Sequence, residues 1–278
     1  MNVGRQRRRR AATVLGALLV GVYLFPVYWM VTASIKTQVD LRAIPPQLVP
    51  LRPDFSTWAE RIFGDPRVFH YIGNSFVVAL GTMTLTVVLS APAAYGLASL
   101  PLRGKQVLMM LSLSSLMFPA IMLATPLFVI FSRLHLTDSL LGLVLADTTL
   151  ALPYAIVLLR PIFAAIPTEI AEAALIDGCN RFRAFAQVVL PLAVPGVSTV
   201  AVIAFLWGWG DLVFALTLTG DESKRVVTTG LWGFFGANTS DWNGAMAFST
   251  LAMIPPLVVF LFTQHKVTAG SVAGGVKA

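Results

Sequence analysis

The sequence predicts an all-α protein that crosses a membrane six times. Three observations carry this. Of its 278 residues, 56% are hydrophobic and only 12% charged. The mean hydropathy is +0.78. Six apolar stretches recur, each reaching the about 20 residues that a helix needs to cross a bilayer core. Soluble domains carry about 25% charged residues, so this chain has too few polar groups to cover a globular surface. A soluble enzyme is excluded, and so is a disordered chain, which requires low hydrophobicity.

The first stretch, 12–34, lies within the uncharged run Ala11 to Ile35. That run is too long for the apolar region of a signal peptide, so it reads as a retained helix. The others are expected at 71–100, 106–132, 139–163, 191–218 and 244–264. Basic residues favour the cytoplasmic side, and Arg5, Arg7, Arg8, Arg9 and Arg10 precede the first stretch. Placing the N-terminus inside gives a cytoplasmic face of +9, a neutral exterior and two carboxylates, Asp147 and Asp211, within spans. The total of +7 is thus an orientation signal and not a nucleic-acid surface. Six spans return the C-terminus to the cytoplasm. The expected organisation is a basic tail over 1–11, a first helix over 12–34 and an external loop over 35–70. A five-helix core follows over 71–265 with a cytoplasmic loop at 167–190, and then a cytoplasmic tail over 266–278.

The spans are rich in proline, at Pro92, Pro119, Pro126, Pro153, Pro195, Pro255 and Pro256. Proline frees backbone carbonyls that must find other partners, so these positions are either packing kinks or bends around a solute path. The lone cysteine, Cys179, permits no intrachain disulfide, and no Cys/His spacing suits a metal.

The most informative stretch is Pro167 to Leu192, between the fourth and fifth spans. Thr168 is placed to cap a first short helix, with Glu169 in its first turn. Ala171, Ala173, Ala174 and Leu175 are strong helix formers. Gly178 suits the left-handed residue that ends a helix, and Asn180 suits the cap of a second, with Pro191 marking the start of the next span. A helix, a glycine turn and a helix make a knob. Its small alanines permit close approach, and Glu172 offers a carboxylate to a partner's arginine. Spacing alone also fits an ordinary amphipathic helix at the membrane surface.

This stretch resembles the EAA loop of permease subunits of binding-protein-dependent ABC importers. Glu172-Ala173-Ala174, Gly178, Val188 and Leu190-Pro191 keep every spacing of that pattern. Pro92-Ala93-Ala94-Tyr95-Gly96, Leu159-Arg160-Pro161, Asp241-Trp242-Asn243-Gly244 and the tail Ala273 to Ala278 are similar to the carbohydrate-importer branch. The tail is most like that of the second, shorter maltose-type permease subunit. The resemblance implies the type I importer permease fold, and a coupling role for Glu172, Ala173, Ala174, Asp177, Gly178 and Arg181 in a cleft of a cytoplasmic ATPase. It also implies a bacterial inner-membrane location and three kinds of partner: a second permease subunit, an ATPase dimer and an external solute-binding protein. In one departure, Trp209-Gly210-Asp211 has glycine where the family commonly has asparagine.

Ionisable groups inside spans are costly and mark functional candidates. Asp147, beside Thr148, reads either as an acceptor for solute hydroxyls or as a partner of a polar group on another helix. Asp211 lies beside Trp207 and Trp209, residue types that suit a sugar's hydroxyls and C–H faces but also a membrane interface. Asn74 is a candidate for solute contact or for capping, and Arg160 reads as a snorkelling side chain. Asn238-Thr239-Ser240 matches a glycosylation triplet only weakly. No nucleotide-binding glycine loop occurs, so the chain is not expected to hydrolyse ATP, and ATP and magnesium fall to the partner ATPase. The rival reading is an ATP-independent transporter or channel. Its need for an ion relay is poorly met by two intramembrane carboxylates. A membrane-embedded enzyme finds no Ser/His/Asp cluster or metal set in the sequence.

Overall fold

The computed structural model describes the backbone of residues 3–235 and 241–273, and the side chains of residues 10, 12–235 and 241–264. The side chains of Arg5, Arg7, Arg8, Arg9 and Lys266, the triplet Asn238-Thr239-Ser240 and the last five residues of the tail lie outside the described residues.

The described elements are helical: α1 (Val3–Ala33), α2 (Gln38–Leu41), α3 (Pro66–Ser99), α4 (Lys105–Ser115), α5 (Ala120–Arg133), α6 (Leu140–Ala164), α7 (Thr168–Ile176), α8 (Arg181–Arg183), α9 (Leu190–Gly210), α10 (Val213–Leu218), α11 (Val227–Trp232) and α12 (Trp242–Ala273). Among the described residues, five helices are long and apolar enough to cross a membrane, and α4 with α5 makes a sixth crossing if the bent pair counts as one.

Three expected boundaries are corrected. The third span is not one helix over 106–132, because α4 and α5 meet at 101°. Pro119 has no N–H to donate and disfavours helical backbone at Phe118; it sits extended, with φ −67° and ψ 141°, at the start of α5. The fifth span is not continuous over 191–218. It stops at Gly210, Asp211 is extended, and α10 restarts the helix. The run 35–70 is not all loop, since it holds α2, a wide helical turn over Trp58–Phe63 and the first residues of α3.

The chain divides into two units, 1–68 with 231–253 and 69–230 with 254–278. In the first, the last turn of α1 leaves carbonyls that its own helix cannot satisfy. The N–H groups of Ser34, Ile35 and Lys36 take up three of them, and Asn243, 1% exposed, adds a second donor: its Nδ2 donates to the carbonyls of Ala33 at 3.2 Å and, just beyond the helix, Lys36 at 2.6 Å. Lys36 is itself buried, donating to the Gln47 carbonyl at 2.5 Å, with its ammonium 4.1 Å from the centre of the Trp29 ring. Asp241 accepts from the N–H of Gly244 and from Gln38.

The second unit packs α3, α5, α6, α9 and α10. Lipid is as apolar as leucine, so helices in a membrane associate through close packing and polar contacts. Small residues supply that closeness. A Cβ on Gly208 of α9 would lie 3.0 Å from Thr82 Oγ1 and 3.1 Å from Ala79 Cα of α3, and one on Gly81 would strike the side chain of Val144 on α6. One apolar cluster joins Val78, Phe131, Leu143, Val144 and Phe214. A second joins Ala94, Leu159, Phe163, Phe185 and Val189 beneath α7.

Candidate functional site

The knob forms as the sequence suggests, with two changes. Thr168 is the first helical residue and not the cap; Pro167 holds the cap position, extended at ψ 133°, without a side-chain hydrogen bond. The helix ends as a left-handed glycine dictates. Gly178 has φ +90°, Gly178 N–H donates to Leu175 at 3.2 Å and Cys179 N–H to Ala174 at 3.0 Å, which satisfies the last carbonyls. Asn180 caps the next helix, its Oδ1 accepting from Arg183 N–H at 2.8 Å. From Arg181 the chain stays helical to Gly210, passing through a wider turn over Ala184–Val189. Pro191 therefore lies inside a continuous helix and does not separate two.

The faces of the knob are sorted. Ala171 packs toward Tyr95, Phe163 and Phe185, and Ala174 is 7% exposed. Glu172, Ala173, Asp177, Gly178 and Arg181 are all exposed. Glu172 and Arg181 line one cleft of about 220 Å³ with Tyr95 and Phe163. Two apolar side chains not singled out from sequence, Ile176 at 86% and Phe182 at 75% exposed, stand on the same knob. The signal for Ile176 was available, because it lies four residues after Glu172 and so shares its helix face.

The break in the fifth span creates the second feature. Asp211 accepts from Ala215 N–H at 2.9 Å and Phe214 N–H at 3.4 Å, capping α10, while its carbonyl accepts from Thr228 Oγ1 at 2.5 Å. Beside it lies an open cavity of about 350 Å³ whose walls include Asp147, Leu150, Trp207, Gly210 and Asp211. Trp207 packs edge-on against Tyr154 at 5.2 Å. Asp147 is 2% exposed, and its Oδ2 has no hydrogen-bond partner among the described residues.

The structure thus brings Asp147, Trp207 and Asp211 together and leaves the other solute candidates elsewhere. Trp209 is 7% exposed and stacks on Phe205 at 5.9 Å and against Phe76 at 5.2 Å. Thr148 is buried and donates to the Val144 carbonyl at 2.6 Å. Asn74 donates to the carbonyls of Ser223 and Arg225, at 2.9 and 2.8 Å, and holds that segment against α3. Arg160 is half-buried.

Residues 86–269 match the family of binding-protein-dependent transport system inner membrane components. The chain belongs to that family. This permease is 33% identical over 274 residues to the sulfoquinovosyl glycerol transport system permease SmoH of Agrobacterium fabrum, covering 99% of this chain and 94% of the relative. It is 36% identical over 273 residues to the trehalose transport system permease SugB of Mycobacterium tuberculosis, covering 98% of each. Its fold matches a chain of a bacterial ABC transporter that imports the acidic polysaccharide alginate, with TM-score 0.77, 22% identity and coverage of 93% and 97%. The permease is therefore a multi-pass inner-membrane subunit of an ABC importer. It is non-catalytic, and it works with a partner permease, an ATPase that performs the hydrolysis and a solute-binding protein. Family membership decides against the ATP-independent transporter.

Proposed function

We propose that this permease translocates a sugar or sugar-like solute, and that the knob over residues 167–190 couples it to the ATPase. The relatives' names support the solute class: both are called permeases for a glycosylated compound, and each aligns over nearly the whole chain. The exposed Glu172 on α7 supports the coupling role. It stands on a knob fixed by a left-handed glycine and an asparagine cap, so a docked arginine meets a carboxylate in a set place. Ile176 and Phe182 add apolar area to the same dock. In this reading both termini and the knob are cytoplasmic, and ATP with magnesium binds the partner ATPase. ATP drives the cycle by favouring one of two states of the assembly.

The test replaces Glu172 with Lys and Ala173 with Phe in the assembled importer. The expected result is loss of ATPase co-purification and of uptake. Normal values of both would remove the knob from the coupling role. The solute is found by screening sugars against the cognate binding protein by thermal shift, and the hit is then used in ATP-driven uptake. A binding protein that takes only amino acids or peptides would overturn the sugar assignment.

A further inference from the structure

The cavity beside the break in the fifth span is walled by two carboxyl groups, one indole and apolar side chains, and none of its lining residues is basic. Three features make it electronegative. Asp147 is buried with Oδ2 unpartnered and lines the cavity. Asp211 stands at the break, its carboxylate held by two backbone N–H groups. The last turn of α9, a helix of 21 residues, contributes Leu206, Trp207 and Gly210 to the wall and brings the negative end of the helix dipole there. The opposing positive end, at α10, is met by Asp211 itself.

We infer that this cavity selects by charge: it admits neutral or cationic hydroxylated solutes and excludes those bearing a carboxylate, sulfonate or phosphate. An unpartnered carboxyl oxygen in a low-dielectric site costs free energy until a donor reaches it. A solute hydroxyl or ammonium supplies that donor, and Trp207 covers an apolar C–H face. An anion supplies no donor, finds no cation among the lining residues, and must shed its water beside carboxyl oxygens and the negative end of α9. Discrimination of this kind works through repulsion of the wrong solute as much as through attraction of the right one. The inference rests on the sugar-permease reading, but its test measures the cavity's field and not uptake, so the two fail separately.

The experiment uses the assembled importer with Cys179 replaced by Ser, which leaves no other thiol in this chain. Gly210→Cys places a thiol in the cavity wall, where an added Cβ meets nothing within 4 Å. Its modification is timed with the cationic trimethylammonium-ethyl and the anionic sulfonato-ethyl methanethiosulfonates. The cation-to-anion rate ratio is expected to exceed that of a free thiol in solution by about tenfold or more, as unit charges at short range in a partly desolvated site imply. The isosteric Asp147→Asn variant is expected to bring the ratio back toward the free-thiol value. Leu150→Cys serves as a second reporter on the same cavity if the first variant does not assemble. A ratio equal to that of the free thiol, or one that Asp147→Asn leaves unchanged, overturns the inference.

Discussion

Tyr95 of α3 stacks on Phe185 of the wide turn, ring centroids 5.1 Å apart and planes 29° from parallel. Both also pack on Phe163 of α6, at 5.8 and 6.1 Å. The three rings sit under the knob, and Tyr95 and Phe163 line the cleft that holds Glu172 and Arg181. One aromatic contact thus joins the underside of the knob to α3 and α6. Tyr95→Ala is expected to lower uptake per ATP hydrolysed by about two- to tenfold, matching the about 0.5–1.5 kcal/mol of an aromatic pair. Tyr95→Phe, which keeps the stack, is expected to behave as the natural protein. Parallel uptake and hydrolysis assays in proteoliposomes check this, and an unchanged ratio in the alanine variant rejects it.

At Gly208, α9 packs closely against α3. A methyl group there crowds Thr82 and the Ala79 backbone, so Gly208→Ala is expected to destabilise by about 1–3 kcal/mol. Gly208→Val is expected to exceed that and to prevent assembly. Thermal unfolding in detergent ranks the two variants, and Gly16→Ala is the control, since nothing lies within 4 Å of its added Cβ.

Asp138 ties two loops together. Its Oδ1 accepts from the N–H groups of Gly220 at 2.6 Å and Asp221 at 2.8 Å, and its own N–H donates to Leu218 at 2.8 Å. It does so with φ 54°, a conformation that asparagine and aspartate tolerate better than most residues. Asp138→Ala loses both acceptor contacts and keeps the strained backbone, so a loss of about 1–3 kcal/mol is expected. Asp138→Asn keeps an acceptor and is expected to lose less. Equal melting temperatures for the two variants would show that the acceptor contributes nothing.

The Asp65 carboxylate is held below its ordinary range, first by the side-chain hydrogen bond from Arg67, with burial opposing and the Arg67 backbone N–H assisting. The guanidinium lies 2.7 Å away. A carboxylate lowered in the folded state contributes stability above its unfolded pKa and loses it as pH falls through the folded value. Asp65→Asn is therefore expected to melt slightly below the natural protein at pH 7, with the gap closing on acidification below about pH 4. Arg67 is exposed and Asp65 half-buried, so solvent screens the pair and the effect is small. A gap that widens on acidification contradicts this assignment.

Local chemistry made the knob readable from sequence. Gly178 and Asn180 act within five residues of themselves, and their roles follow from φ and from side-chain length. Hydropathy, by contrast, reports how long an apolar stretch is and not whether it is straight. The bend at Pro119 and the break at Asp211 therefore stayed hidden inside stretches of the right length. Thr168 was displaced from its expected cap because the rigid Pro167 already supplies the extended residue before the helix. Trp209 and Asn74 lie away from the cavity of Asp147 and Asp211 for a different reason. Their partners, Phe76 for one and Ser223 and Arg225 for the other, are more than a hundred residues away in sequence. Asp147 and Asp211 were visible as costly charges, but that they share one cavity depends on how α6 and α9 pack.

The bond from Asn243 to Lys36 joins residues 207 positions apart. Ribosomes extend a chain at about 5–20 residues per second, so roughly 10–40 seconds separate the synthesis of its two ends. For that interval the carbonyls of Ala33 and Lys36 lack the amide that later donates to both. A nascent chain halted before residue 243 is expected to leave those carbonyls open to competing donors, whether water, lipid headgroups or the insertion machinery.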